Sequence, residues 1–228
     1  MNALRLLLLP VLFLVSCQTL PAIKLPVPQS PVQVLTCPSP FLKESYRLVH
    51  AIEVRRGGET KNAILGVTVA DPVDRFISCA IMTAEGLVLF EAQANPELKI
   101  IRALPPFDSA DFARNMIDDI SLIFFPPEGE LQQIGTLADG STICRWQEKG
   151  GYIIDVIAKQ PEGIDINKYS AFGGLKRRIK LNPPGDNIYS NIELTAHEFL
   201  NYSLIMTLIE AVPAEGDMTD KQSEDEEE

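Results

Sequence analysis

Histidine and tryptophan are scarce in this 228-residue chain, which has two histidines, His50 and His197, and one tryptophan, Trp146. Catalytic bases and metal sites draw heavily on histidine. Neither histidine has a cysteine or carboxylate placed by local spacing to make it a base or a metal ligand. His50 falls on the apolar side of a strand-like run and reads as a core or cavity-lining residue. His197, beside Glu198, reads as a surface residue. There is no G-x-S-x-G, H-E-x-x-H, phosphate-binding loop or Rossmann glycine fingerprint, so the commonest signatures of hydrolases, zinc proteases and nucleotide enzymes are missing. Asp118 and Asp119 are adjacent carboxylates in a helical stretch, but neighbouring helix residues point about 100° apart. They read as a polar helix face, not as a converging pair. The expectation is a protein without catalytic residues, metal or cofactor.

Positive charge is also short. Twenty Lys and Arg stand against 31 Asp and Glu, for a net charge of −11, and no basic stripe appears. Nucleic acid is therefore excluded as a partner. The segment 213–228 holds eight acidic residues against the single Lys221. Such a segment buries too little apolar surface to offset its ordering entropy and is expected to be a disordered tail. No apolar run is long enough to span the roughly 30 Å of a bilayer core. The longest, Leu6 to Val15, is interrupted by Pro10.

That run has another use. Arg5 precedes it, and Leu14-Val15-Ser16-Cys17 closes it. The order of aliphatic, small and cysteine residues resembles a bacterial lipobox, which makes 1–16 a signal peptide and Cys17 the lipidated first residue of the mature chain. Each buried methylene contributes about 0.8 kcal/mol, so two or three acyl chains anchor a protein firmly. Six prolines between Pro21 and Pro40 give residues 17–42 the character of an extended tether. Cys37, Cys79 and Cys144 remain, an odd number with no C-x-x-C. Cys79 and Cys144 lie in strand-like runs, where unpaired cysteine behaves as a small hydrophobe. A Cys79–Cys144 bridge is an alternative, and Cys37 could pair with either.

Residues 43–212 read as one mainly β domain. Tyr46, Leu48, His50, Ile52 and Val54 alternate with mostly polar residues, and Gly57-Gly58 makes a hairpin turn. Further strands are expected at 62–69, 75–82, 87–93 and 98–104. A helix at about 109–125 carries Phe112, Met116, Ile120, Ile123 and Phe124 on one face. Strands follow at 142–147, 152–158, 175–181, 188–197 and 202–212, with 159–174 mostly loop. The pattern predicts an open antiparallel barrel with the helix packed over its concave face. Trp146, Phe76, Phe125 and Tyr152 are expected in the core. The cavity candidates are Leu48, His50, Ile52, Phe90, Phe112, Met116, Ile120 and Phe124, and an apolar pocket lined by them would suit an acyl chain.

Four stretches carry a family resemblance: VRRGGETKNAILGVTVADPVDRF, TAEGLVLFEAQ, DDISLIFFPP and ELTAHEFLNYSLIMTLIE. In order and character they resemble the LolA/LolB-like lipoprotein-carrier fold. The similarity is closest to Gram-negative outer-membrane lipoproteins related to LolB, often encoded beside aryl-polyene and fatty-acid-type synthesis genes. The resemblance implies a hydrophobic cavity under a helical lid, which in LolA and LolB holds acyl chains of lipoproteins in transit. Gln18, where an aspartate would signal inner-membrane retention, implies an outer-membrane anchor with the domain facing the periplasm. The expectation is a lipoprotein that binds or transfers an acylated or hydrophobic molecule. The alternative is a structural or assembly lipoprotein that works through envelope protein partners.

Overall fold

The computed structural model describes residues 20–25, 35–159, 161, 163–182, 188–197 and 201–214. The signal segment, Cys17 and the acidic tail from residue 215 onward lie outside the described residues. Strands β1 (Tyr46–Arg56), β2 (Glu59–Asp71), β3 (Phe76–Met82), β4 (Val88–Asn95) and β5 (Glu97–Ala103) step outward from the centre of one sheet. Helix α1 (Ala110–Phe124) then carries the chain to the opposite edge, where β6 (Glu130–Thr136) begins. The return runs through β7 (Thr142–Gln147), β8 (Ile153–Lys159), β9 (Gly163–Tyr169), β10 (Leu175–Leu181), β11 (Asn191–Ala196) and β12 (Tyr202–Pro213). β12 pairs antiparallel with β1, with Tyr46 opposite Pro213 and Arg55 opposite Ser203. The edges β5 and β6 do not pair with each other, so this 12-stranded antiparallel barrel stays open, as the alternation predicts.

Local chemistry accounts for most of these elements. Gly57 and Gly58 both take positive φ (61° and 82°), which a two-residue hairpin loop between Arg56 and Glu59 requires. Ser109 caps α1, its hydroxyl accepting from the Phe112 amide at 3.1 Å. At the other end the Leu42 amide donates to the Phe124 carbonyl at 3.0 Å, satisfying one of the helix's terminal acceptors. Leu122, Ile123 and Phe124 of α1 join inward residues of both sheet halves, among them Leu48, Phe90, Ile154, Ile179 and Leu194, in a single core.

Two strands were not expected. β9 lies in the stretch read as mostly loop. Its Asp165, Asn167 and Lys168 disfavour a strand in isolation, but pairing with β8 on one side and β10 on the other settles its backbone. β6 has almost no apolar pattern because Glu130 to Gln133 are exposed on an edge strand.

The bridge joins Cys37 to Cys144, not Cys79 to Cys144, and Cys79 is buried and unpaired. Cys144 and Cys79 belong to opposite halves of the sheet, whereas Cys37 meets Cys144 on the face of β7 that Cys144 shares with Val156 of β8. Part of the proline-rich stretch also lies on the sheet. Lys24 and Thr136 exchange backbone hydrogen bonds of 2.8 and 3.0 Å, and Arg145 donates to the Pro21 carbonyl at 3.1 Å. Ile23 and Lys24 thus cover the end of β6 at Gly135 and Thr136, and Glu130 to Gln133 stay exposed.

Candidate ligand cavity

A cavity of about 260 Å³ lies between α1 and the inner faces of β1, β2, β3, β11 and β12. Its size follows from the sequence of the wall. β2 offers Gly66 and Thr68 inward, and β3 offers Cys79 and Ile81. At Gly66 a Cβ would meet the Ile52 side chain at 2.6 Å, so the glycine lets Ile52 lie flat against the wall. From the helix side Phe112, Met116, Ile120, Ile123 and Phe124 point in. The ring of Phe112 is held edge-on to Phe90 at 5.3 Å and tilted against Phe107 at 5.2 Å.

Six of the eight cavity candidates come together on this lining: His50, Ile52, Phe112, Met116, Ile120 and Phe124. Leu48 and Phe90 do not line it. Both are fully buried in the core beside it.

The polar lining is sparse, and one member overturns an expectation. Asp119 does not belong to the polar helix face. It is 9% exposed and points inward, where Arg177 Nε donates to it at 2.7 Å and the Tyr202 hydroxyl at 3.4 Å. Its spacing carried the signal, because Asp119 lies seven residues after Phe112 and four before Ile123, within the apolar arc. Burial raises its carboxyl to about 6, and Arg177 opposes the rise without cancelling it. Asp118 turns away, as adjacent helix positions must. It lines a separate hollow of about 470 Å³, beside Leu122, Phe125 and Ile154, with Arg75, Glu128, Glu148 and Lys168. Those groups already pair, Arg75 with Glu128 at 2.7 Å and Lys168 with Glu148 at 3.6 Å. The smaller, carbon-lined cavity is therefore the better ligand site.

His50 is 3% exposed, its Nε2 has no hydrogen-bond partner, and burial lowers its pKa to about 4. Burial likewise pushes the Cys79 thiol up to about 12. Both groups are held neutral at physiological pH. A nucleophilic cysteine needs a thiolate and a base within hydrogen-bond reach. Here β2 separates the strands that carry the two side chains. The arrangement favours enclosing an apolar group over acyl transfer. His197, read as a surface residue, is half-buried at the end of β11, and its amide donates to the Lys176 carbonyl at 2.9 Å.

No family model matches the chain, and no curated protein matches it by sequence. Solved structures do match. A LolA superfamily protein of Nitrosomonas europaea superposes with a TM-score of 0.51 at 11% identity, over 75% of this chain and 86% of that one. The fold is LolA-like. A Vibrio parahaemolyticus domain described as an outer membrane lipoprotein-sorting protein aligns over 76% of this chain and 86% of its own, at 10% identity and a TM-score of 0.41.

Proposed function

We propose that this protein is an outer-membrane lipoprotein, anchored through Cys17 and facing the periplasm, that holds an acyl chain or similar hydrophobic group in the cavity under α1. On this reading residues 1–16 are the signal peptide, 17–42 the lipidated N-terminal segment, 43–212 the binding domain and 213–228 an acidic tail. The observation that carries the proposal is the cavity itself, a void of about 260 Å³ walled by aliphatic and aromatic side chains from a helix and five strands. That volume lies at the small end of ligand sites, which run about 300–1,000 Å³. It suits one chain with α1 in place, and a larger acylated cargo requires α1 to move. The LolA-like fold is consistent with such a carrier, although a fold alone does not assign a ligand.

The test is native mass spectrometry of residues 18–228, purified gently from a periplasmic fraction, with solvent extraction of anything bound. The expected result is an acyl or polyene adduct that a fluorescent fatty acid displaces. Met116→Glu, which places a carboxylate in the apolar lining, abolishes probe binding. A clean unliganded mass together with no probe binding by the folded protein refutes the carrier reading and favours an assembly role through protein partners.

A further inference from the structure

We infer that the folded domain rests directly on the membrane surface through the tip of the β9–β10 loop, with Phe172 as its apolar contact. The inference rests on the lipoprotein reading of Cys17 and adds an orientation to it.

Phe172 is 100% exposed, more than any other large hydrophobic residue among those described. The loop that presents it is well braced. The Ser170 amide donates to the Gly174 carbonyl at 2.8 Å, the Gly173 amide to the Ser170 carbonyl at 2.9 Å, and the Gly174 amide to the Ser170 hydroxyl at 3.1 Å. Gly173 supplies the positive φ of 81° that closes the turn. The turn holds an aromatic ring in solvent, where it contributes nothing to the core.

The N-terminal segment passes beside this turn. Leu20 lies against the same turn, its Cγ 3.9 Å from where a Cβ on Gly173 would sit. Residues 20–25 are fixed there by the Lys24–Thr136 backbone pair and by Arg145 on the Pro21 carbonyl. Cys17 is three residues before Leu20, so their Cα atoms are at most about 11 Å apart. Acyl chains on Cys17 must therefore enter the bilayer close to Phe172. A domain on a free 26-residue tether could face any direction, but one tethered by residues 17–19 cannot.

The neighbouring turn has the same character. Ala171 packs beside Gly151 of the β7–β8 turn, 3.1 Å from where a Cβ on that glycine would sit. Tyr152, expected in the core, is 41% exposed there, with the Lys168 ammonium 5.1 Å from its ring centroid. Lys149 is exposed in the same turn. Tyr152 and the exposed Lys149 are side chains of the kind bilayer interfaces favour, whereas Lys168 is paired with Glu148 at 3.6 Å. Val73, 81% exposed in the β2–β3 turn, has no such link to the anchor and serves as a control.

The full lipidated chain is reconstituted into phosphatidylethanolamine–phosphatidylglycerol vesicles with a nitroxide at Phe172→Cys or, separately, at Val73→Cys. The native thiols do not compete, because Cys79 is buried and Cys37 and Cys144 are bonded to each other. The mass of the N-terminal peptide reports acylation of Cys17 independently. The expected result is that the label at 172 loses collisions with a water-soluble nickel chelate and gains collisions with oxygen, while the label at 73 does neither. An acylated chain whose 172 label stays as accessible to nickel as the 73 label overturns the orientation alone. An unmodified Cys17 overturns both the orientation and the anchor.

Discussion

Beneath α1, the β2–β3 wall turns Gly66, Thr68 and Cys79 inward, and a cavity remains. Across the sheet, β8 to β11 turn Val156, Ile166, Ile179, Leu181 and Ile192 inward, and these pack into the buried core. The cavity wall thus carries smaller side chains, and its β1 ladders also shift register at Val49/His50 and Val54/Arg55. The filled half is also buried on its outer face. Ile143, Asp155 and Ile157 point that way and are at most 3% exposed, with Arg145 holding Asp155 through bonds of 2.6 and 2.7 Å. One half is built for rigidity, and the other leaves room.

The largest test of that contrast is the Cys37–Cys144 bridge, which fastens the N-terminal segment to the filled half across a separation of 107 residues. Replacing both cysteines with serine releases a loop whose closure entropy corresponds to about 4–5 kcal/mol in the chain-entropy model. Urea unfolding should show a loss of that order with a steeper slope, because the unfolded chain without the cross-link exposes more surface.

Core truncation comes next. Ile166→Ala in the filled half is expected to cost about 2–5 kcal/mol by opening a void. Gly66→Ala in the hollow half adds a Cβ that meets only the flexible end of Ile52. It should cost about 1 kcal/mol, the low end of overpacking, and weaken acyl-probe binding. Equal stability losses in the two variants would erase the distinction between the halves.

The pH dependence sharpens the comparison within the cavity. The His50 pKa is lowered from 6.5 to about 4, so the unfolded chain binds the extra proton between those values and stability rises with pH there. Asp119 is raised from 3.8 to about 6, so its contribution is complete below 3.8 and is lost as pH climbs through 6. Burial shifts Asp155 in the same direction as Asp119. The opposing slopes largely offset each other. Asp119→Asn leaves His50 less opposed, and stability should then gain up to about 3 kcal/mol more than wild type between pH 4 and 6. A variant whose pH profile parallels wild type would remove Asp119 from the titrating set.

The smallest effect is expected at the outer ion pairs. Arg47–Glu210 and Lys180–Glu193 join β1 to β12 and β10 to β11 with both partners well exposed. Neutralising either pair should change stability by about 0–1 kcal/mol. A larger loss in one half alone would mean that rigidity there depends on surface charge as well as packing.

Much of this was legible along the chain, and the misses have identifiable causes. β1 was readable because Leu48, His50 and Ile52 alternate over consecutive residues, and α1 because its apolar arc recurs every three or four. Asp119 was misread because its charge outweighed its position on that arc. β9 was missed because its strand state depends on neighbours on both sides. Leu48 and Phe90 had the right face for the cavity, but being turned inward does not distinguish a wall residue from one packed behind the wall.

The chain alone therefore determined the elements whose causes lie within a few residues: the alternating strands, the Gly57-Gly58 hairpin, the capped amphipathic helix and the open mainly β architecture. Only the tertiary structure decided that Cys37 meets Cys144, that Asp119 meets Arg177 on β10 and that Lys24 pairs with Thr136 at the end of β6. Periodicity and turn chemistry act between neighbours. Contacts across 58 or 107 positions are selected only when the whole sheet curves around α1 and brings their strands together.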